Sequence, residues 1–154
     1  NYYYIYTDVH DLHHNAPYHG PVIYNGDSIQ LSFDTLLTRS GKYDADDYEY
    51  GFALTNTGVE SYAWQAPPDR GTGDKPKSWA SITHDEEKNN TKYLIKIPKS
   101  DVAPLSLRAG YTFGFNLGIN NAGMLGNRDD LVEITPGILY TKNTAAYRTW
   151  TLIK

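Results

Sequence analysis

Apolar side chains in this chain recur at every second residue and almost nowhere at the spacing of a helix face. Ile29, Leu31 and Phe33 alternate with Ser28, Gln30, Ser32 and Asp34. Tyr48, Tyr50, Phe52 and Leu54 do the same against Glu49, Gly51, Ala53 and Thr55, and Asn56-Thr57-Gly58 then turns the chain back into a partner strand over 59–66. Further strands are predicted over 2–6, 79–83, 93–97, 111–120, 131–134 and 149–153. Only 100–107 admits a helical turn, and Pro98 and Pro104 keep it short. The stretch 66–77, with Pro67, Pro68, Gly71, Gly73 and Pro76, is predicted to be a surface loop. Each strand has one apolar face and must bury it against a second sheet. The expected fold is therefore all-β, a sandwich or jelly roll of mainly antiparallel strands.

With 154 residues the chain suffices for one domain with a real core. Its formal net charge of -4 disfavours nucleic acid, whose phosphates need a concentrated basic surface. No apolar run approaches the roughly 20 residues that span a bilayer. There is no cysteine, so disulfides and thiolate sites are excluded. The first residues, Tyr2-Tyr3-Tyr4-Ile5-Tyr6, already read as strand, so residues 1–154 are expected to be a single domain excised from a longer chain.

The aromatic content is unusual in kind: 14 Tyr and 3 Trp stand against 4 Phe. Such rings carry polar handles and suit a hydroxyl-rich ligand, although sheets favour tyrosine for packing as well. Trp64 and Trp79 flank the Pro/Gly stretch and Tyr24 precedes a strand. Each tryptophan can be core or binding face, whereas Trp150 shares parity with Leu152 and reads as core. Along 111–120 one face is apolar. The other carries Thr112, Gly114, Asn116, Gly118 and Asn120, where small residues can leave a hollow and amides can both donate and accept. A neighbouring segment packed over the glycines would explain that face equally well. The acidic run Asp44, Asp46, Asp47 and Glu49 offers alternating oxygens that suit a structural calcium, as does the group Asp8, Asp11, Asp129 and Asp130, or it is simply a solvated turn. His10, His13, His14 and His19 match no metal motif, and no nucleophile elbow, zinc-protease or phosphate-loop motif occurs.

Tyr24-Asn25-Gly26-Asp27-Ser28-Ile29-Gln30-Leu31-Ser32-Phe33-Asp34 resembles the family 9 carbohydrate-binding modules, in which an aromatic and two spacers precede Asp-Ser and a strand ending in Asp. Tyr3-Tyr4-Ile5-Tyr6-Thr7-Asp8, the run from Gly114 to Ala122, Gly126-Asn127-Arg128, Thr135-Pro136-Gly137 and the closing Trp150-Thr151-Leu152-Ile153-Lys154 are similar to further patches of that family. The resemblance implies a β-sandwich, often with structural calcium, that grips sugar between two aromatics. By the same resemblance the first aromatic falls on Tyr24 and the polar strand residue on Gln30. The second aromatic falls on Ile134 and a strand arginine on Gly51, so the family's clamp is not retained as such. The candidate sugar-binding set is Tyr24, Gln30, Trp64, Trp79, Asn116, Asn120 and Arg128, with calcium at Asp44, Asp46 and Asp47. The family's additional N-terminal strands are missing from residues 1–154.

These readings converge on a secreted, non-catalytic module that binds a polysaccharide and targets a covalently linked polysaccharide-degrading domain. The alternative is a structural or adhesive spacer of a large cell-surface enzyme.

Overall fold

Strand pairing follows the alternation. A computed structural model, which describes residues 1–154, contains ten strands: β1 (Tyr2–His10), β2 (Ser28–Asp34), β3 (Asp47–Thr55), β4 (Gly58–Gln65), β5 (Gly73–Lys75), β6 (Ala80–Asp85), β7 (Asn90–Pro98), β8 (Thr112–Ala122), β9 (Arg128–Glu133) and β10 (Arg148–Thr151). A three-stranded sheet runs β1-β7-β6, and a larger one runs β10-β8-β2-β3-β4-β5 with β9 beside the far half of β8. Every pairing is antiparallel.

The two sheets enclose the core. Ile29, Leu31 and Phe33 of β2, Tyr48, Tyr50 and Phe52 of β3, and Phe113 and Phe115 of β8 meet Ile82, Tyr93, Ile95 and Ile97 from the smaller sheet. Each such side chain, fully buried, contributes roughly 1.5–3 kcal/mol. Three tyrosines in or against the core keep their hydroxyls paired. Tyr48 donates to the Ala103 carbonyl at 2.6 Å, Tyr3 to that of Leu105 at 2.8 Å, and Tyr50 to that of Asp101. These three of the 14 tyrosines therefore pin the 99–105 connection, which contains the expected short helical turn as a 3-10 turn at Lys99–Val102.

The outer face of the larger sheet is polar yet also buried. Cross-strand register aligns Ser28, Gln30, Ser32 and Asp34 with Asn120, Gly118, Asn116 and Gly114 on one side, and with Ala53, Gly51, Glu49 and Asp47 on the other. A 3-10 turn at Gly20–Asn25 and the segment 135–147 lie over this face, the latter burying Ile138, Leu139 and Tyr147.

Three expectations are corrected. The stretch 66–77 is not all loop, because β5 pairs with β4 there. Trp79 closes a 3-10 turn before β6 and enters the core at 6% exposure, edge-on to Tyr50 at 5.6 Å. Conversely Trp150 remains 43% exposed on the edge strand β10, with only its contact to Phe115 inward.

Candidate functional site

Four of the proposed sugar-binding residues come together. Tyr24, Gln30, Trp64 and Arg128, joined by Leu139 and Lys142, line a pocket of about 340 Å³ on the covered face of the larger sheet. That volume lies near the low end of small-ligand sites.

The aromatic wall is placed by a bulge. Tyr50 pairs with Ala63 and Glu49 with Gln65, which leaves Trp64 as the extra residue of β4. A bulge bends its strand and re-aims the side chain it carries. Here the six-membered ring of Trp64 lies against Gly51, where any Cβ would overlap it. The site that resemblance assigns to an arginine is thus filled by an indole. Trp64 Nε1 donates to the Pro21 carbonyl at 2.8 Å, and the Tyr24 ring stands edge-on to Trp64 at 6.1 Å. Both rings are half-buried, fixed on one side and open on the other.

The floor is a hydrogen-bonded chain. Arg128 donates to Asn120 Oδ1 at 3.1 Å. Asn120 donates in turn to Ser28 Oγ at 3.0 Å and to Gln30 Oε1 at 3.1 Å. Gln30 Nε2 donates to Glu49 Oε1 at 2.6 Å, and the Lys142 ammonium pairs with the same oxygen. Burial pushes the Glu49 carboxyl up, and the Lys142 charge opposes that shift. A buried polar network of this kind orients its members firmly when its donors and acceptors are matched. Gln30 keeps one amide hydrogen free, and Arg128 keeps four of its five donors.

Two predicted binders are placed elsewhere. Trp79 is core and presents no ring face. Asn116 is fully buried: its amide donates to the Thr135 carbonyl at 2.6 Å and its oxygen accepts from Thr135 N and Leu117 N. It anchors the covering segment and is sealed from a ligand by that segment. Asn120 is equally buried and acts through Arg128 and Gln30. The hollow expected over Gly118 is filled by Leu139. Ile134 is exposed outside the pocket, whereas Tyr140, 71% exposed, packs on Arg128. Nothing in the local pattern marks Lys142, Leu139 or Tyr140. Glu49 is legible only as the last carboxylate of the acidic run 44–49, where it reads as a calcium ligand and not as part of a sugar site.

The carboxylate group differs from the expected one. Asp34, Asp46 and Asp47 each bring an oxygen within 4.8 Å of the others. Asp44 is not among them; it accepts from Asp46 N at 3.2 Å and from Thr38 Oγ1 at 3.1 Å, shaping the loop. Asp47 Oδ1 is buried with no partner, and burial pushes that carboxyl up to about 8. Clustered carboxyl oxygens, one of them buried without a partner, fit a hard cation such as calcium, which would favour the ionised form of Asp47. The early histidines form no such group; His14 stacks on His84 at 5.0 Å and His19 pairs with Glu60.

No family profile and no curated protein matches the chain by sequence. Among solved structures, it is similar to a family 9 carbohydrate-binding module from Caldicellulosiruptor kristjanssonii in complex with glucose, with a TM-score of 0.72 and 15% identity, covering 98% of this chain and 70% of that one. The cellotriose complex of a family 9 module from the same organism matches with a TM-score of 0.73 and 15% identity, over 99% of this chain and 70% of the other. The chain therefore has the family 9 carbohydrate-binding module fold, a β-sandwich.

Proposed function

We propose, from that fold and from the pocket it carries, that the chain binds carbohydrate without transforming it. The observation that carries this reading is the pairing of Tyr24 and Trp64 beside a floor of oriented amide and cationic donors. Ring faces suit the C–H faces of a pyranose, and fixed donors suit its hydroxyls. The structures matched hold glucose and cellotriose, which favours a saccharide as occupant. No carboxylate lines the pocket, and its nearest one, Glu49, is committed to Lys142 and Gln30. Glycoside hydrolysis requires two carboxyl groups facing the scissile bond, so a non-catalytic role is the better fit.

On this reading the module belongs to a secreted polysaccharide-degrading protein and holds its catalytic part at the substrate. Calcium would be held by Asp34, Asp46 and Asp47 and would fix the loop between β2 and β3. Affinity electrophoresis through a panel of soluble polysaccharides tests the binding claim. Retardation in at least one gel is expected, with Tyr24→Ala weakening it about tenfold or more, since an aromatic contact contributes on the order of 1 kcal/mol beyond its buried area. Unchanged mobility of the folded wild type in every gel would refute the reading and leave a spacer.

A further inference from the structure

We infer that the pocket selects an acidic sugar, a uronic acid unit whose carboxylate meets Arg128; this rests on the saccharide-binding reading above. The chain as a whole is negative, with a formal charge of -4, yet this pocket holds two cationic side chains and no lining carboxylate. The two cations are not equivalent. Lys142 is neutralised locally by Glu49, with which it pairs from a left-handed backbone position at φ 51°. Arg128 pairs with no carboxylate. Its single hydrogen bond is to the neutral Asn120. The three acidic residues of its own strand are turned to backbone N–H groups instead: Asp129 accepts from Gly123 N and Asp130 from Leu131 N, each at 2.7 Å, and Glu133 accepts from Ile138 N and Leu139 N at 3.0 and 3.2 Å.

The guanidinium also packs against aromatic rings. Its centre lies 5.3 Å from the Tyr24 ring and 5.5 Å from the Tyr140 ring. The Asn120 bond uses one Nη1 hydrogen and leaves Nη2 and Nε as donors without a partner. A guanidinium fork matches a carboxylate bidentately, and a charge-assisted pair of this kind is roughly twice as strong as neutral hydrogen bonds. A neutral sugar could reach the same ring wall and Gln30, but it would cover Arg128 without compensating its charge. The arginine therefore adds discrimination to a wall that is indifferent to charge.

Calorimetric titration with tri-galacturonate and with a glucuronate-substituted xylo-oligosaccharide, each against its carboxyl-reduced counterpart, tests this and separates the two uronate sources. At least one acid form is expected to bind about tenfold tighter than its reduced form, with the advantage shrinking as salt is raised. Arg128→Gln should bring the acid form down to the affinity of its reduced counterpart, and Arg128→Lys should retain part of the preference. Equal affinity of wild type for acid and reduced forms would overturn the inference, as would binding of neutral cello-oligosaccharides alone; either leaves the saccharide-binding reading standing. A folded wild type that binds none of these ligands would overturn both.

Discussion

Trp64 and Trp79 carry the same side chain to opposite ends. The first lies against Gly51 at a bulge and lines the pocket; the second is sealed against Tyr50 inside the sandwich. Replacement should separate the two roles. Trp79→Ala is expected to cost about 3–5 kcal/mol in urea unfolding, because a buried indole leaves both a transfer loss and a cavity. Trp64→Ala should cost less, about 1 kcal/mol, since the ring is only partly buried, yet should remove most saccharide affinity. If the stability losses were reversed, the assignment of wall and core would be wrong. Gly51 belongs to the same argument: only the absence of a Cβ lets the indole settle on the sheet, so an arginine could not occupy this position while Trp64 does.

At the scale of elements, the start of β2 is tied to the end of β8 by one carboxylate. Asp27 accepts from Ala122 N at 2.6 Å and from Asn15 N at 2.5 Å. His14 lies 3.8 Å away. Burial pushes Asp27 up to about 6, against the lowering by those two backbone bonds, with Asp11 adding to the rise. An unfolded aspartate titrates near 3.9, so the native state holds this proton more tightly. The associated stability is fully present below about pH 4 and is lost as pH rises through about 6. Thermal unfolding across that window should show Asp27→Asn with a flatter pH profile than wild type; parallel profiles would contradict the assignment.

The whole molecule gathers three carboxyl groups at one end of the larger sheet. Asp34 and Asp47, paired across β2 and β3, converge with Asp46, and one Asp47 oxygen is left without a partner. A ligand that binds only the folded state stabilises it in proportion to its excess over the dissociation constant. Calcium should therefore raise the thermal midpoint, a chelator should lower it, and Asp47→Asn should abolish the response. A midpoint indifferent to both reagents would remove the cation from the account.

Nearly every strand was legible because period two is a local property: Ile29, Leu31 and Phe33 reveal their shared face without knowledge of what covers it. Tyr24, Gln30 and Arg128 were reachable through short motifs that accompany this fold. What the sequence by itself determined is the alternation, hence the two-layer all-β architecture and the excess of rings with polar handles. Only the tertiary structure decided which rings face a ligand. A bulge and a 3-10 turn break strand parity at Trp64 and Trp79, and Asn116 and Asn120 share a face on which the 135–147 segment covers one and Arg128 caps the other. Lys142 and Tyr140 come from that same aperiodic segment, whose position is set by contacts with residues far away in the chain, and no local pattern records contacts of that kind.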